Sequence, residues 1–475
     1  MSALKPKILI ATLGTRGDVQ PYVALAGELV RLGADVVVAT GRGFDTMIGK
    51  VGAQPRAVPI DFEALLGDPV TREAMFTFRG KIKVARTTME DQKKVVRCLW
   101  KIGLEEKPDL ILFNLKATVM TLVARRLNVP ALPTALQPVV TPTGDFPVSL
   151  FGLPALGKLG NRLSYLAARK LMALGLSPML KPLRAEATAE FEHPREMIDG
   201  HMPDRSKALC LQGFSSALVP RPKDWPETSW LSGYWFMRPA NTYIPDRELM
   251  QFLENGPPPV YIGFGSMPSR KPEELTRLIM RALTQTGLRA ILARGWGGLT
   301  GHALPEVLKD KVFLIDKAPH SWLFPKCSSI IHHGGAGTTH EALRWGKPSL
   351  VCPVFADQPF WGQRVHGAGA GPARSAKETH DRFAGEGALC AGCSAYAMGA
   401  KAAAASWHWS PEQRARQRKS CPLFRLFVHR RKAPDFLVCQ PIAHREDRNS
   451  KCAAQHACAG CADSFPDIPV ISEPV

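Results

Sequence analysis

The residues with the clearest chemical potential form a glycine-rich turn, residues 332–338, within the sequence HHGGAGTTHEAL. Its small residues let the main chain approach an anion closely, and the helix predicted to follow offers backbone amides at its start. The imidazole of His333, charged or neutral, and the hydroxyl of Thr338 can add donors. Because such turns commonly connect strands to helices, and a histidine in one is often structural, the turn alone predicts only a capacity to bind phosphate.

Polar or main-chain groups follow predicted strands at three other points of this region. Asp357 and Gln358, in PVFADQPFWG, suit the neighbouring hydroxyls of a sugar, because the carboxylate accepts hydrogen bonds and the amide both donates and accepts them. Ser266 ends a strand in FGSM, and Ala318, in DKAPHSWLF, offers backbone groups that could frame a planar base. The carboxyl ends of parallel strands share one edge of a sheet, so these residues are expected at one cleft.

Two series of alternating β-rich and helical segments are typical of α/β folds with doubly wound parallel sheets. In the first series, KILIATLG is apolar throughout, as expected of a strand covered on both faces. Residues 21–32 are predicted as a helix with Pro21 near its first turn and Gly33 just past its end. The second series restarts at PVYIGFGS and includes predicted helices 272–286 and 336–345. Two Rossmann-like halves would face each other across a ligand cleft.

The length of 475 residues favours at least two domains. We assign 1–236 to an N-terminal domain, 237–258 to a proline-rich linker that encloses one short helix, 259–372 to a second, truncated domain and 373–475 to a tail. The chain has no run of about 18 apolar residues, so a transmembrane helix is not expected. The lysines and apolar run at its start lead into GTRGDVQP, which favours a buried strand over a signal peptide and hence a cytoplasmic protein.

A net charge of +19 predicts attraction to polyanions, membrane surfaces or phosphate-bearing ligands. Nucleic acid is disfavoured, because the charge is dispersed and no nucleic-acid module is recognisable. An anionic substrate or an anionic bilayer is the better interpretation.

Cysteine usage changes along the chain. Cys98, Cys210, Cys327 and Cys352 are scattered in apolar contexts and predict buried, reduced thiols, whereas seven cysteines crowd the tail. Two Cys-Ala-Gly-Cys pairs there suggest zinc only weakly, because no conventional finger spacing surrounds them. Residues 378–389, back-translated and read one base later, can give KLTTDSLAKAL, which supports the hypothesis of a frameshift near Pro372 and a disordered tail.

The stretch HHGGAGTTHEALRWGKPSLVCPVFADQPFWG resembles the donor-binding signature of family 1 glycosyltransferases of the GT-B type. Its resemblance is greatest to the sterol glucosyltransferase and antibiotic (macrolide or glycopeptide) glycosyltransferase branch. GTRGDVQPYVALAGEL is similar to the GSRGDVQP motif of that branch. The resemblance covers residues 7–372. It implies two Rossmann-like domains, an N-terminal one that binds an acceptor and a second one that binds a UDP-sugar.

The resemblance also implies residue roles. Asp18 matches the carboxylate proposed as general base, with Gly14 and Thr15 in the same loop; a helix N-cap or an ion pair with Arg16 is the compatible structural alternative. The diphosphate would be bound by His333, by amides of Gly335, Ala336 and Gly337, and by the Thr338 hydroxyl. Ser266 would contact phosphate or ribose, Ala318 the uracil, and Asp357 and Gln358 the hexose. No metal or other cofactor is required in this scheme.

The acceptor side stays open. Residues 141–182 mix apolar and basic side chains, which fits an acceptor pocket for a lipophilic molecule, a basic amphipathic helix that contacts a membrane, or ordinary packing. Two other functions also stay open, a catalytically impaired nucleotide-sugar-binding protein and a GT-B sugar-nucleotide epimerase. GTRGDVQP argues against the epimerase, and GTRGDV lacks the pattern of a dinucleotide fingerprint.

Overall fold

The architecture is that of two parallel α/β sheets. It comes from a computed structural model, which describes residues 5–68, 71, 74, 78–187, 190, 196–238, 243–265, 272–294, 304–354 and 356–372. Ser266 and the whole tail 373–475, with its cysteine pairs, predicted frameshift and predicted disorder, lie outside these residues.

The first lobe is built on a sheet with the order β3-β2-β1-β4-β5-β6-β7, in which every described pair of strands is parallel. Its central strands are fully buried, which explains their continuous apolar sequences. The strands are β1 (Lys7–Ala11), β2 (Asp35–Thr40), β3 (Gln54–Ala57), β4 (Leu110–Asn114), β5 (Ala131–Ala135), β6 (Cys210–Gln212) and β7 (Ser229–Leu231).

The second lobe is built on a parallel sheet with the order β10-β9-β8-β11-β12. The strand order in both sheets reverses beside the first strand of the lobe, so loops after β1 and β4, and after β8 and β11, lie next to each other. The strands are β8 (Val260–Gly263), β9 (Ala290–Ala293), β10 (Val312–Ile315), β11 (Ser329–His332) and β12 (Ser349–Val351).

Helices connect the strands of both lobes. In the first lobe they are α1 (Arg16–Arg31), α2 (Asp45–Gly49), α3 (Phe62–Gly67), α4 (Phe78–Thr87), α5 (Met89–Glu106), α6 (Met120–Leu127) and α7 (Gly157–Leu180). The predicted linker contains α8 (Arg247–Glu254), and the second lobe contains α9 (Pro272–Thr286), α10 (His320–Leu323), α11 (Ala336–Arg344) and α12 (Gln358–Gly367).

The predicted start of the first helix was wrong. Helix α1 begins at Arg16, so Pro21 lies inside it and not near its first turn. Thr15 is the N-cap in extended conformation, and its amide donates to the carboxylate of Asp18, the third helical residue. This local capping interaction sets the start, and Pro21 removes only one hydrogen bond from the helix.

A hydrophobic cluster joins the two lobes. Phe146 and Phe214 of the first lobe pack on Phe360 and Trp361 of α12, with ring centroids 5.5 Å apart for Phe146–Phe360 and 6.3 Å apart for Phe214–Trp361. Trp361 is fully buried, so its truncation to alanine would cost about 3–5 kcal/mol of stability. The lobes are therefore held together by core packing next to the cleft.

The predictions for the cysteines are confirmed in part. Cys210 and Cys327 are buried as predicted, whereas Cys98 and Cys352 are only partly buried. Within the described ranges, no helix combines the length and apolarity needed to cross a membrane, and no group of three or more His, Cys, Asp or Glu residues could hold a metal ion.

Candidate active site

Asp18 is held at the start of α1 by the loop that follows β1. Its Oδ2 accepts a hydrogen bond from the Thr15 amide at 3.0 Å. Gly14 has φ +144°, and a Cβ atom there would lie 2.0 Å from Asp18 Oδ2. The carboxylate can occupy this position only because residue 14 is glycine. The side chain is 31% exposed, so a substrate hydroxyl can reach it.

The ion-pair partner of Asp18 is Lys116 and not Arg16. Lys116 Nζ lies 3.1 Å from Asp18 Oδ2, whereas Arg16 Nε donates to Gln20. Lys116 follows β4, the neighbour of β1, so the strand order of a Rossmann-like sheet brings the two charges together. The strand order is the signal that could have identified Lys116, which no sequence motif marks.

Asp357 brings a second carboxylate toward Asp18 from the other lobe. It is the N-cap of α12, and its Oδ2 accepts a hydrogen bond from Trp361 Nε1 at 2.8 Å. Burial raises the pKa of the Asp357 carboxyl to about 6; the charge of Asp18 adds to this rise and Lys116 opposes it. Ala356, directly before it, has the strained φ of +56°, as functional turns often do.

Gln358 lies inward. Its side chain is 3% exposed, and Oε1 accepts a hydrogen bond from the Val354 amide at 2.7 Å. In this geometry the side chain fixes the loop that carries Asp357. Its predicted contact with a hexose stays a prediction.

The glycine-rich turn leads directly into α11, as the sequence predicts. Gly335 is the N-cap, and the first bond inside the helix is donated by the Thr339 amide to Gly335 O. The amides of Ala336, Gly337 and Thr338 therefore precede the hydrogen-bonded part of the helix, where an anion can be bound. Gly334 has φ +93°, and a Cβ there would lie 2.6 Å from Val351.

His333 lies between two glycines and is neutral. Cβ atoms built on Gly335 and Gly265 would lie 2.6 Å from its Nε2 and 3.1 Å from its Cε1. Burial lowers the pKa of His333 to about 4, and its buried Nδ1 has no hydrogen-bond partner among the described residues. A neutral imidazole with an unsatisfied nitrogen suits hydrogen bonding to a ligand.

The turn at Ala318 lies near this site. Ala318 is partly buried and packs at the edge of the cluster that contains Tyr261 and Phe324. Burial lowers the pKa of the neighbouring His320 to about 4, and the charge of Arg16 adds to the effect. The structure thus brings α10, α1 and the glycine-rich turn together, while the predicted contact of Ala318 with uracil stays a prediction.

Tyr234 of the first lobe reaches across to the glycine-rich turn. Its ring stacks on His340 with centroids 4.3 Å apart, and its hydroxyl lies 3.1 Å from the position of a Cβ on Gly337. Burial, with the charges of Glu341 and Asp18, raises the pKa of Tyr234, so the hydroxyl stays protonated as a donor. Tyr234 lies just past β7, which ends at Leu231.

His340 links the lobes as a neutral side chain. Its Nδ1 contacts Ala336 O at 2.6 Å, so it donates there, and its Nε2 accepts a hydrogen bond from the Ser215 amide at 3.2 Å. Burial lowers the pKa of His340 to about 3. The bond from Ser215 needs the uncharged ring, because a protonated Nε2 could not accept it.

These histidines predict a loss of stability in mild acid. Their folded-state pKa values of about 3 to 4 lie below the value of about 6.5 in an unfolded chain, so the unfolded state binds more protons below pH 6.5. The free energy of unfolding should fall from pH 6.5 toward pH 4 by up to about 1.4 kcal/mol per pH unit for each histidine. Urea unfolding at pH 7.5 to 4.5 measures this. His340→Gln should make the decline shallower, and a decline parallel to that of the wild type would contradict the assignment.

Two lobes built on doubly wound parallel sheets are the architecture of GT-B proteins. Family models match both lobes: the glycosyltransferase family 28 N-terminal domain matches residues 8–136, and the erythromycin biosynthesis protein CIII-like C-terminal domain matches residues 300–412, which runs past Pro372. The chain belongs to the GT-B glycosyltransferases, in the branch of the sterol and antibiotic glycosyltransferases.

Individual relatives agree with this assignment. The sterol 3-beta-glucosyltransferases UGT80A2 and UGT80B1 of Arabidopsis thaliana are 37% and 35% identical over 77% of the chain. The chain spans 57% and 60% of their lengths. The solved glycotransferase of kitacinnamycin has a TM-score of 0.62 at 17% identity, with 91% of this chain and 100% of that chain covered, which supports the fold.

Proposed function

We propose that this protein is an inverting glycosyltransferase that moves a hexose from a UDP-sugar to a hydroxyl of a lipophilic acceptor such as a sterol. The observation that carries the proposal is the approach of Asp18, from the first lobe, to Asp357 and the glycine-rich turn of the second. The charge of Asp18 contributes to the raised pKa of both Asp357 and Tyr234, and Tyr234 contacts the turn at Gly337.

In the proposed reaction Asp18 accepts the proton of the acceptor hydroxyl. The hydroxyl oxygen attacks the anomeric carbon from the face opposite the diphosphate, the bond from that carbon to the diphosphate oxygen breaks, and UDP leaves. Oδ2 of Asp18 is occupied by Thr15 and Lys116, which leaves Oδ1 for the proton. The two lobes hold the reactants in alignment, and this positioning lowers the activation free energy of the transfer.

The second lobe would stabilise the leaving group. Amides at the start of α11, the Thr338 hydroxyl and the neutral imidazole of His333 would donate to the diphosphate. Asp357, whose pKa of about 6 leaves it ionised at pH 7.5, would accept from hexose hydroxyls. Ser266, Ala318 and Gln358 complete the proposed donor site. We propose that this set of donors acts without a metal, so turnover should survive addition of EDTA.

The acceptor class is taken from the relatives named as sterol 3-beta-glucosyltransferases. We also propose that the protein works in the cytoplasm and meets its acceptor as a peripheral protein at a membrane.

The test is transfer by the full chain. Purified protein should be incubated with UDP-glucose and a sterol in detergent, and sterol glucoside and UDP should be quantified. We expect UDP to raise the melting temperature and both products to appear in equal amounts. Thermal stabilisation without transfer to sterols or other lipophilic alcohols would support a nucleotide-sugar-binding protein instead, and interconversion of UDP-sugars would support an epimerase.

A further inference from the structure

Helix α7 carries a row of exposed leucines, which we call the apolar stripe: Leu156, at its N-cap, and Leu159, Leu163, Leu166, Leu171 and Leu174. Their spacing of mostly three or four residues places them on one side of the helix. They are well exposed, for example Leu159 at 73% and Leu174 at 67%.

The stripe is unusual for this protein. Twelve large hydrophobic residues are exposed in the described part of the chain, and seven of them lie between Phe151 and Leu174. Single exposed leucines are ordinary on a protein surface, but a contiguous row indicates an interaction surface. The other side of α7 already packs in the core through Tyr165 and Ala168. The stripe is therefore not needed to attach the helix to the lobe.

Positive charge accompanies the stripe. Lys158 and Lys170 are exposed on the helix and Lys181 directly after its end, and Lys170 lies between Leu166 and Leu174 on the same side. Arg162 and Arg169, farther round, are paired with Asp224 and Asp199. Leucines edged by lysines fit the boundary of an anionic bilayer, where the leucines enter the acyl region and the lysines stay with the headgroups. The net charge of +19 acts in the same direction.

The stripe also begins beside the candidate active site. A Cβ atom built on Gly152, next to Phe151, would lie 3.0 Å from Pro359 and 3.6 Å from the Ala356 carbonyl oxygen. The loop before α7 therefore contacts the residues on either side of Asp357. A surface attached through α7 would lie next to this rim of the cleft.

We propose that the apolar stripe docks the protein on anionic lipid membranes and so turns the acceptor side of the cleft toward the bilayer. The second part rests on the proposed function, while the docking itself does not. The geometry identifies lipid, and not a second protein, as the partner, because basic residues interrupt and flank the apolar row.

The test is flotation of the full-length protein with vesicles of phosphatidylcholine, with and without phosphatidylserine. The variant Leu159→Ser/Leu163→Ser/Leu166→Ser/Leu174→Ser should partition into anionic vesicles at least about tenfold less than wild type. A control variant, Leu32→Ser/Ile244→Ser/Val307→Ser, replaces three exposed apolar residues elsewhere and should bind normally. Lys158→Glu/Lys170→Glu/Lys181→Glu should weaken binding to anionic vesicles far more than to neutral ones.

Thermal stabilisation by UDP shows that each variant is folded and separates docking from the proposed function, because it should be the same in all variants. If transfer failed but vesicle binding followed this pattern, docking would stand without the proposed acceptor. Equal loss of binding in the stripe variant and the control, or no binding of wild type to any vesicle, would overturn the inference. A wild-type dimer that becomes a monomer in the stripe variant would also overturn it, since the stripe would then join two copies.

Discussion

Asp18→Asn should lower the turnover number about 10²- to 10⁴-fold while it leaves the affinity for UDP within about twofold. Asparagine cannot accept the proton of the acceptor hydroxyl. It can still accept the Thr15 amide through its side-chain oxygen, so the start of α1 should persist. Turnover measured at saturating donor and acceptor, with UDP binding by calorimetry, separates these effects.

The control must distinguish a base from a capping residue. Asp204→Asn changes another carboxylate that accepts a main-chain hydrogen bond, from Ser206 in an exposed turn, and should leave turnover unchanged. Gly14→Ala should reduce turnover like Asp18→Asn, because the new Cβ would occupy the position of the carboxylate. Two results would contradict this role. If Asp18→Asn kept more than about a tenth of the turnover, or if it lost turnover only because the protein no longer folded, Asp18 would be structural and another residue would be the base.

Much of the fold follows from short-range patterns. Apolar runs such as KILIATLG predict buried parallel strands. The order of these strands in each sheet follows from the Rossmann-like alternation of strands and helices along the chain. Helix α9 has the predicted bounds, Pro272–Thr286, because an acidic first turn marks its start. The start of α1 was missed, because proline was weighed more heavily than the pairing of Thr15 with Asp18.

The candidate site was less predictable, because its geometry depends on residues far apart in the chain. The Lys116–Asp18 pair requires the neighbouring positions of β1 and β4, and the Tyr234–His340 stack requires contact between lobes. The inward position of Gln358 depends on the close packing of its loop. The neutral state of His333 depends on its burial between glycines, which is a property of the folded chain and not of the sequence pattern.

His333→Ala should weaken UDP binding about 10- to 100-fold, the effect of losing a hydrogen bond to a charged group. The imidazole is neutral, so it contributes a donor and not a charge. His333→Gln should recover part of the affinity if the amide nitrogen reaches the same position. Calorimetric titration with UDP and with uridine tests this, because uridine lacks the diphosphate and should bind both proteins equally.

The matched control is His366→Ala, which removes an exposed histidine near the end of α12, where its Nδ1 lies near Gly371 O. Its affinity for UDP should match that of wild type. Equal weakening of UDP and uridine by His333→Ala would place the histidine beside the nucleoside and contradict its assigned role. An unchanged affinity for UDP would leave the helix start alone to bind the diphosphate, because the amides of α11 remain in this variant.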